Sequence, residues 1–179
     1  MRPPPNALLL SPPTHRPLRP AELDELRPQY VRFLAAQGIP ADLYERLQRE
    51  DPARVAELLD QFSAMVFADV IRRSRYLEQR AARQLLVYEA AEEVLRVRGI
   101  LVVGETALDL RREDAPAEMM ARLTAQGAQL KLLSAERAYE RGRPAEVFAL
   151  LESGAKLANS PELYDLLNGL ASDAQAGNA

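Results

Sequence analysis

The sequence predicts an α+β protein: a helical N-terminal half with one long central helix packed on a small antiparallel sheet, and further helices at the C-terminus. Three observations lead there. Residues 51–83, DPARVAELLDQFSAMVFADVIRRSRYLEQRAAR, keep a helical spacing of apolar side chains. Residues 84–103 contain short alternating runs, and glycines and prolines cut the remaining chain into brief elements. With 179 residues, 47% of them apolar, the chain can bury roughly two thirds of its unfolded surface in one domain. The sequence is therefore divided into a disordered Pro-rich lead (1–19), a single globular domain (20–170) and a flexible tail (171–179).

The lead carries Pro3, Pro4, Pro5, Pro12, Pro13 and Pro17, which remove backbone donors and favour extended geometry. After Pro20, Leu23, Leu26, Tyr30, Phe33 and Leu34 recur at helical spacing up to Gly38. Pro28 interrupts this run, so a kink or a restarted helix is expected there. Pro40 opens a short helix with Leu43 and Leu47 inward. Asp51 and Pro52 then form an N-cap and N1 pair for the long helix. At about 100° per residue, Val55, Leu58, Leu59, Phe62, Met65, Val66 and Tyr76 share a stripe with Asp69, Arg73 and Arg80, whereas Phe67 and Ile71 point the other way. The middle of the helix is thus expected to be covered on two sides.

Residues 84–103 admit two readings. YEAAEEVLRVRG has helical propensity with Gly99 as a stop, while Leu85–Tyr88 is β-rich and Leu95, Val97, Gly99 and Leu101 alternate with Arg96, Arg98 and Ile100. A strand pair is the assignment adopted. Further on, Asp114 is expected to cap a helix running through Ala125, Gln129–Leu133 to form a strand, and Ala145–Glu152 and Pro161–Leu170 to form helices.

Composition excludes much chemistry. A net charge of −3 and a pI near 5.4 disfavour generic nucleic-acid binding. No cysteine is present, which removes disulfides, thiolate nucleophiles and Cys-based metal sites. The single histidine, His15, lies in the lead, so no histidine base or triad is expected in the folded domain. Phosphate-cradling and nucleophile-elbow motifs are missing. The sequence therefore predicts no cofactor and no metal. No run approaches the ~20 apolar residues of a membrane span, and a cytoplasmic protein is expected. Glu92–Glu93 and Glu113–Asp114 are read as turn or helix-start charges.

DQFSAMVFADVIRRSRYLEQR, the strand pair after it, and AYERGRPAEVFALLESGAKLANSPELYDLL together resemble an uncharacterised family of small bacterial cytoplasmic proteins, a domain of unknown function. The resemblance spans about Leu18 to Leu167 and is carried by Phe62-Ser63, Tyr76-Leu77-Glu78 and Glu162-Leu163-Tyr164. It implies an α+β arrangement and is the main reason for choosing strands over helix at 84–103; it implies no activity, cofactor or catalytic residue. The last of these stretches also looks superficially like a tetratricopeptide repeat, but no second copy occurs to bury its apolar face.

The candidate site is the arginine-rich end of the long helix. Asp69, Arg72, Arg73, Tyr76 and Arg80 are singled out, Arg73 and Arg80 as inward-pointing. Cations at a helix C-terminus meet its exposed carbonyls favourably, and Asp69 stands i, i+4 to Arg73, so a structural ion pair is one reading. Guanidinium forks also suit carboxylates and phosphates. Two functions follow: a non-enzymatic interaction or adaptor protein contacting an unknown protein partner, or a small protein or enzyme that binds an anionic metabolite through Asp69, Arg73 and Arg80.

Overall fold

The computed structural model describes residues 12–104, 107–158 and 161–176. The chain divides into two compact units, with the boundary between Ile71 and Arg72. Each is described by itself.

The first unit is helical. α1 (Pro20–Glu25) gives way to α2 (Arg27–Ala36); of the kink or restart expected at Pro28 the restart occurs, because that proline sits in the first turn of α2, where a missing amide costs nothing. Gly38, at φ +73°, ends α2 and leads to α3 (Ala41–Glu50). α4 (Pro52–Arg73) opens as expected, with the Asp51 carboxylate accepting the Arg54 amide at 3.1 Å. Its core residues form two lines. Leu58 and Phe62 are fully buried, and Phe62 meets the rings of Tyr30 and Phe33 at 5.0 and 5.5 Å. Each such burial contributes roughly 1.5–3 kcal/mol. On the other side lie Ser63, Phe67 and Ile71, all buried. The two-sided cover predicted for α4 is present, although Met65, placed on the inward stripe, is 50% exposed.

Residues 12–19, assigned to the lead, form no helix or strand, but they supply part of that second cover. Leu18 is buried and donates its amide to Ser63 Oγ at 3.0 Å, while Ser63 donates to the Leu59 carbonyl at 2.6 Å. Arg16 lies over the Phe67 ring and chelates Glu22, whose carboxyl is lowered to about 2, first by that bond. The lead's residues 1–11 lie outside the described residues, as do 177–179 of the tail.

The second unit is built on a five-stranded antiparallel sheet of order β4-β3-β2-β1-β5: β1 (Tyr76–Ala81), β2 (Gln84–Ala90), β3 (Val94–Val103), β4 (Gln129–Ala138) and β5 (Lys156–Leu157). The helices are α5 (Pro116–Ala125), α6 (Arg143–Glu152) and α7 (Glu162–Ala176). The predicted strand pair at 84–103 is β2 and β3, joined through Ala91, Glu92 and Glu93. β4 runs past its expected end at Leu133 because it pairs with the whole of β3, Val103 through Val94.

One expectation is overturned here. The long helix does not reach Arg83; it ends at Arg73, and Tyr76–Ala81 is strand β1. Its sequence, YLEQRA, is helix-compatible, but β1 pairs along its whole length with β2 and partly with β5, and Leu77 becomes fully buried. Tertiary pairing outweighs a few tenths of a kcal/mol of propensity per residue. The β1–β2 connection, Ala82–Arg83, needs no residue at positive φ, so it carries no Asn-Gly signal; its carbonyls accept amides from Leu110 and Val102. A second correction is small: Ala115, not Asp114, caps α5, because the Asp114 carboxylate turns to Arg122 Nη2 at 2.6 Å. The repeat-like stretch is not a helical hairpin, since β5 separates α6 from α7 and joins β1.

Leu85, Val87, Ile100 and Val102 from one sheet face pack with Met119 and Leu123 of α5 and Leu163, Tyr164 and Leu167 of α7 to form the core. On the opposite face Gly99 is buried, and a Cβ there would lie 2.5 Å from the Leu85 carbonyl oxygen and 2.7 Å from Leu86 Cδ2. No helix among the described residues is long and apolar enough to cross a membrane.

Gly99→Ala is expected to destabilise the protein by about 1–3 kcal/mol through this overlap, read as a lower urea midpoint at unchanged slope. Ser63→Ala strands the buried Leu18 amide, with an expected loss of about 1–3 kcal/mol; Ser63→Thr, which keeps the hydroxyl, should recover part of it in the same titration.

Candidate functional site

The five residues singled out are divided between the two units. Asp69 is in the first unit and the other four are in the second. Arg72 and Arg73 are exposed at the end of α4, so Arg73 is not the inward residue the helical projection made it. Tyr76 and Arg80 sit on one face of β1, with Glu78 between them, because side chains alternate along a strand.

Arg80 lies at the wall of a cleft of about 310 Å³, whose lining includes Glu78, Glu113, Asp114, Lys156 and Glu162. A smaller hollow of about 160 Å³ shares Glu78, Arg80, Glu113 and Lys156 and adds Arg111. The arrangement follows from pairing. Lys156 of β5 is opposite Glu78 of β1, which puts both on Arg80's face. The Arg80 side chain is only 11% exposed and that of Glu78 16%. Arg80 donates from Nε and Nη2 to the Glu78 carboxylate at 3.3 and 3.1 Å, and from Nη1 to the carbonyls of Arg112 at 2.7 Å and Leu110 at 3.4 Å. The guanidinium is thus committed within the fold: it ties the 110–112 loop to the sheet.

The other charges are matched in the same way. Lys156 Nζ meets Glu113 at 2.6 Å, holding that carboxyl below its usual range and raising the ammonium above its own. Arg111 donates repeatedly to Asp109, whose carboxyl is lowered to about 2 by that pairing. The cleft's Arg80 and Lys156 are therefore each paired with a carboxylate, which an incoming anion would have to displace. Among the described residues no group of three or more His, Cys, Asp or Glu is placed to hold a metal.

Tyr76 belongs to a second cluster that sequence reasoning missed. Its ring meets Tyr164 of α7 at 5.6 Å, and Arg98 lies 5.8 Å from the Tyr164 centroid while donating to Asn168 at 2.8 Å. Beside it Glu89, 8% exposed, accepts from Arg96 at 3.0 Å and Arg75 at 3.3 Å. Burial raises the Glu89 carboxyl, but the two guanidinium bonds outweigh it and hold the group below its usual value. The signal was a register: Glu89 stands opposite Arg96, and Arg96 opposite Glu136, which only strand pairing reveals.

The fold and these clusters define an α+β protein whose sheet carries matched ionic ladders. Two of the three sequence stretches that carried the family resemblance meet here, Tyr76 on Tyr164 directly, with Glu78 and Glu162 lining one cleft. The chain belongs to a family of unknown function, DUF6495, which matches residues 14–172. No curated protein and no solved structure matches it.

Arg80→Met leaves Glu78 and two carbonyls without their donor and is expected to cost about 3–5 kcal/mol, measured by chemical denaturation. Lys156→Met, in an exposed pair, is expected to leave the melting temperature almost unchanged while the Glu113 titration, followed by carboxyl NMR, moves up towards its ordinary value. A fall in stability for Lys156→Met as large as that for Arg80→Met would reverse the ranking.

Proposed function

We propose that this protein is a non-enzymatic interaction or adaptor protein of the cytoplasm, working by contact with another protein rather than by transforming a metabolite. The observation that carries this reading is the commitment of Arg80. Arg80, which lines a cleft, donates to Glu78 and to two backbone carbonyls, leaving the anion-binding alternative through Asp69, Arg73 and Arg80 with one of its two cations already committed. Arg72 and Arg73 at the end of α4, and Arg75 bonded to Glu89, are solvent-exposed. A chain without cysteine suits a reducing compartment.

A thermal-shift panel of inorganic phosphate, nucleotides and di- and tricarboxylates discriminates the two functions. A true ligand at about 100 times its Kd adds about 2.7 kcal/mol, so binding would register clearly. No stabilisation by any compound is expected. A concentration-dependent rise in Tm that Arg73→Ala abolishes would establish the metabolite reading instead, and recovery of the protein alone after mild crosslinking at native levels would count against a partner.

A further inference from the structure

The first unit carries a groove of about 520 Å³ between α2 and α3, with Leu23, Tyr30, Val31, Leu34, Ile39 and Tyr44 in its lining. It is a surface groove rather than an enclosed pocket, since Val31 in its wall remains 58% exposed. Small-molecule sites enclose most of their ligand, whereas open apolar grooves take side chains projecting from a polypeptide.

Charge narrows the occupant. Of the charged residues in the lining, Asp24 and Arg27 are bonded to each other. Glu45, one turn into α3, is exposed and pairs with no cation among the described residues. Beside it the Tyr30 and Tyr44 rings stand edge to face at 6.0 Å with their hydroxyls 3.4 Å apart. That bond is long, and if one hydroxyl donates to the other, the second proton remains available to a ligand. Burial first, then the Tyr44 hydroxyl, keeps the Tyr30 phenol well above its ordinary pKa and so in its donor form.

We propose that this groove docks a short segment of a partner protein, its apolar side chains seated on Val31, Leu34 and Ile39 and one lysine or arginine reaching Glu45 beside the two tyrosines. The assignment rests on the interaction reading above and supplies it with a surface and a partner chemistry.

Selection of a displayed random-peptide library on the full-length protein tests it. Wild type is expected to enrich peptides with two or three apolar residues and a Lys or Arg. Binding of a selected peptide should fall at least ~tenfold, about 1.4 kcal/mol, for Val31→Arg and for Glu45→Lys. Both side chains are exposed, and an unchanged Tm for each variant verifies folding. Selection repeated on Glu45→Lys should enrich Asp or Glu in place of the basic residue. Failure to enrich, a motif indifferent to Glu45→Lys, or binding that survives Val31→Arg would overturn the proposal. So would a dimer in sedimentation that Val31→Arg dissolves, which would make the occupant a second copy, or stabilisation by octylamine without peptide enrichment, which would make it a small amine. Failure here with a silent metabolite panel sinks only the groove; a metabolite hit sinks the interaction reading whatever the peptides do.

Discussion

The second unit depends on the pairing of β1 with β2. Six residues of β1, Tyr76 to Ala81, stand opposite Glu89 to Gln84, and β5 then has an edge on which to form. Had the helix continued through this stretch, Leu77 would lose its fully buried place and Arg80 could not reach the carbonyls of Leu110 and Arg112. The strand also puts Tyr76 against Tyr164 and Glu78 beside Arg80, so both clusters of the unit are consequences of one register.

Charge is handled by matching across strands. Glu89, Arg96 and Glu136 occupy successive strands in register, and the guanidinium bridges both carboxylates at 3.0 and 2.6 Å. A nearly buried carboxylate such as Glu89 is tolerable only with such partners, because burying an unpaired charge costs several kcal/mol. The same matching at Glu78, Arg80, Glu113 and Lys156 makes the sheet cleft a poor anion trap. By contrast, Glu45 lines an apolar, aromatic groove of the first unit and pairs with no cation among the described residues.

Much of the fold was legible. Proline and glycine placed the restart at Pro28, the stop at Gly38 and the N-terminus of α4, since each acts through its own backbone geometry. The 84–103 strand pair was reached partly through family resemblance, because the Ala-Glu-Glu connection carries no turn signature. The candidate site was less legible. Arg80 was rightly suspected of an inward position, but its reason lay in a strand: alternation with period 2 over six residues competes with a good helical pattern, and propensity cannot separate them. Glu89 was invisible because its partners, Arg75 and Arg96, are 14 and seven residues away and converge only in the folded sheet.

The amino-acid sequence by itself determined the start of α4, its two-sided burial and the absence of cysteine chemistry, which follow from local backbone preference, apolar spacing and composition, whereas the α+β class leaned on the family resemblance as well. Tertiary structure decided where α4 stops and what Arg80 of β1 does. Those outcomes turn on the cross-strand register of β1 and on carbonyls supplied by a loop some 30 residues further along, and no local pattern encodes a partner that only folding brings within reach.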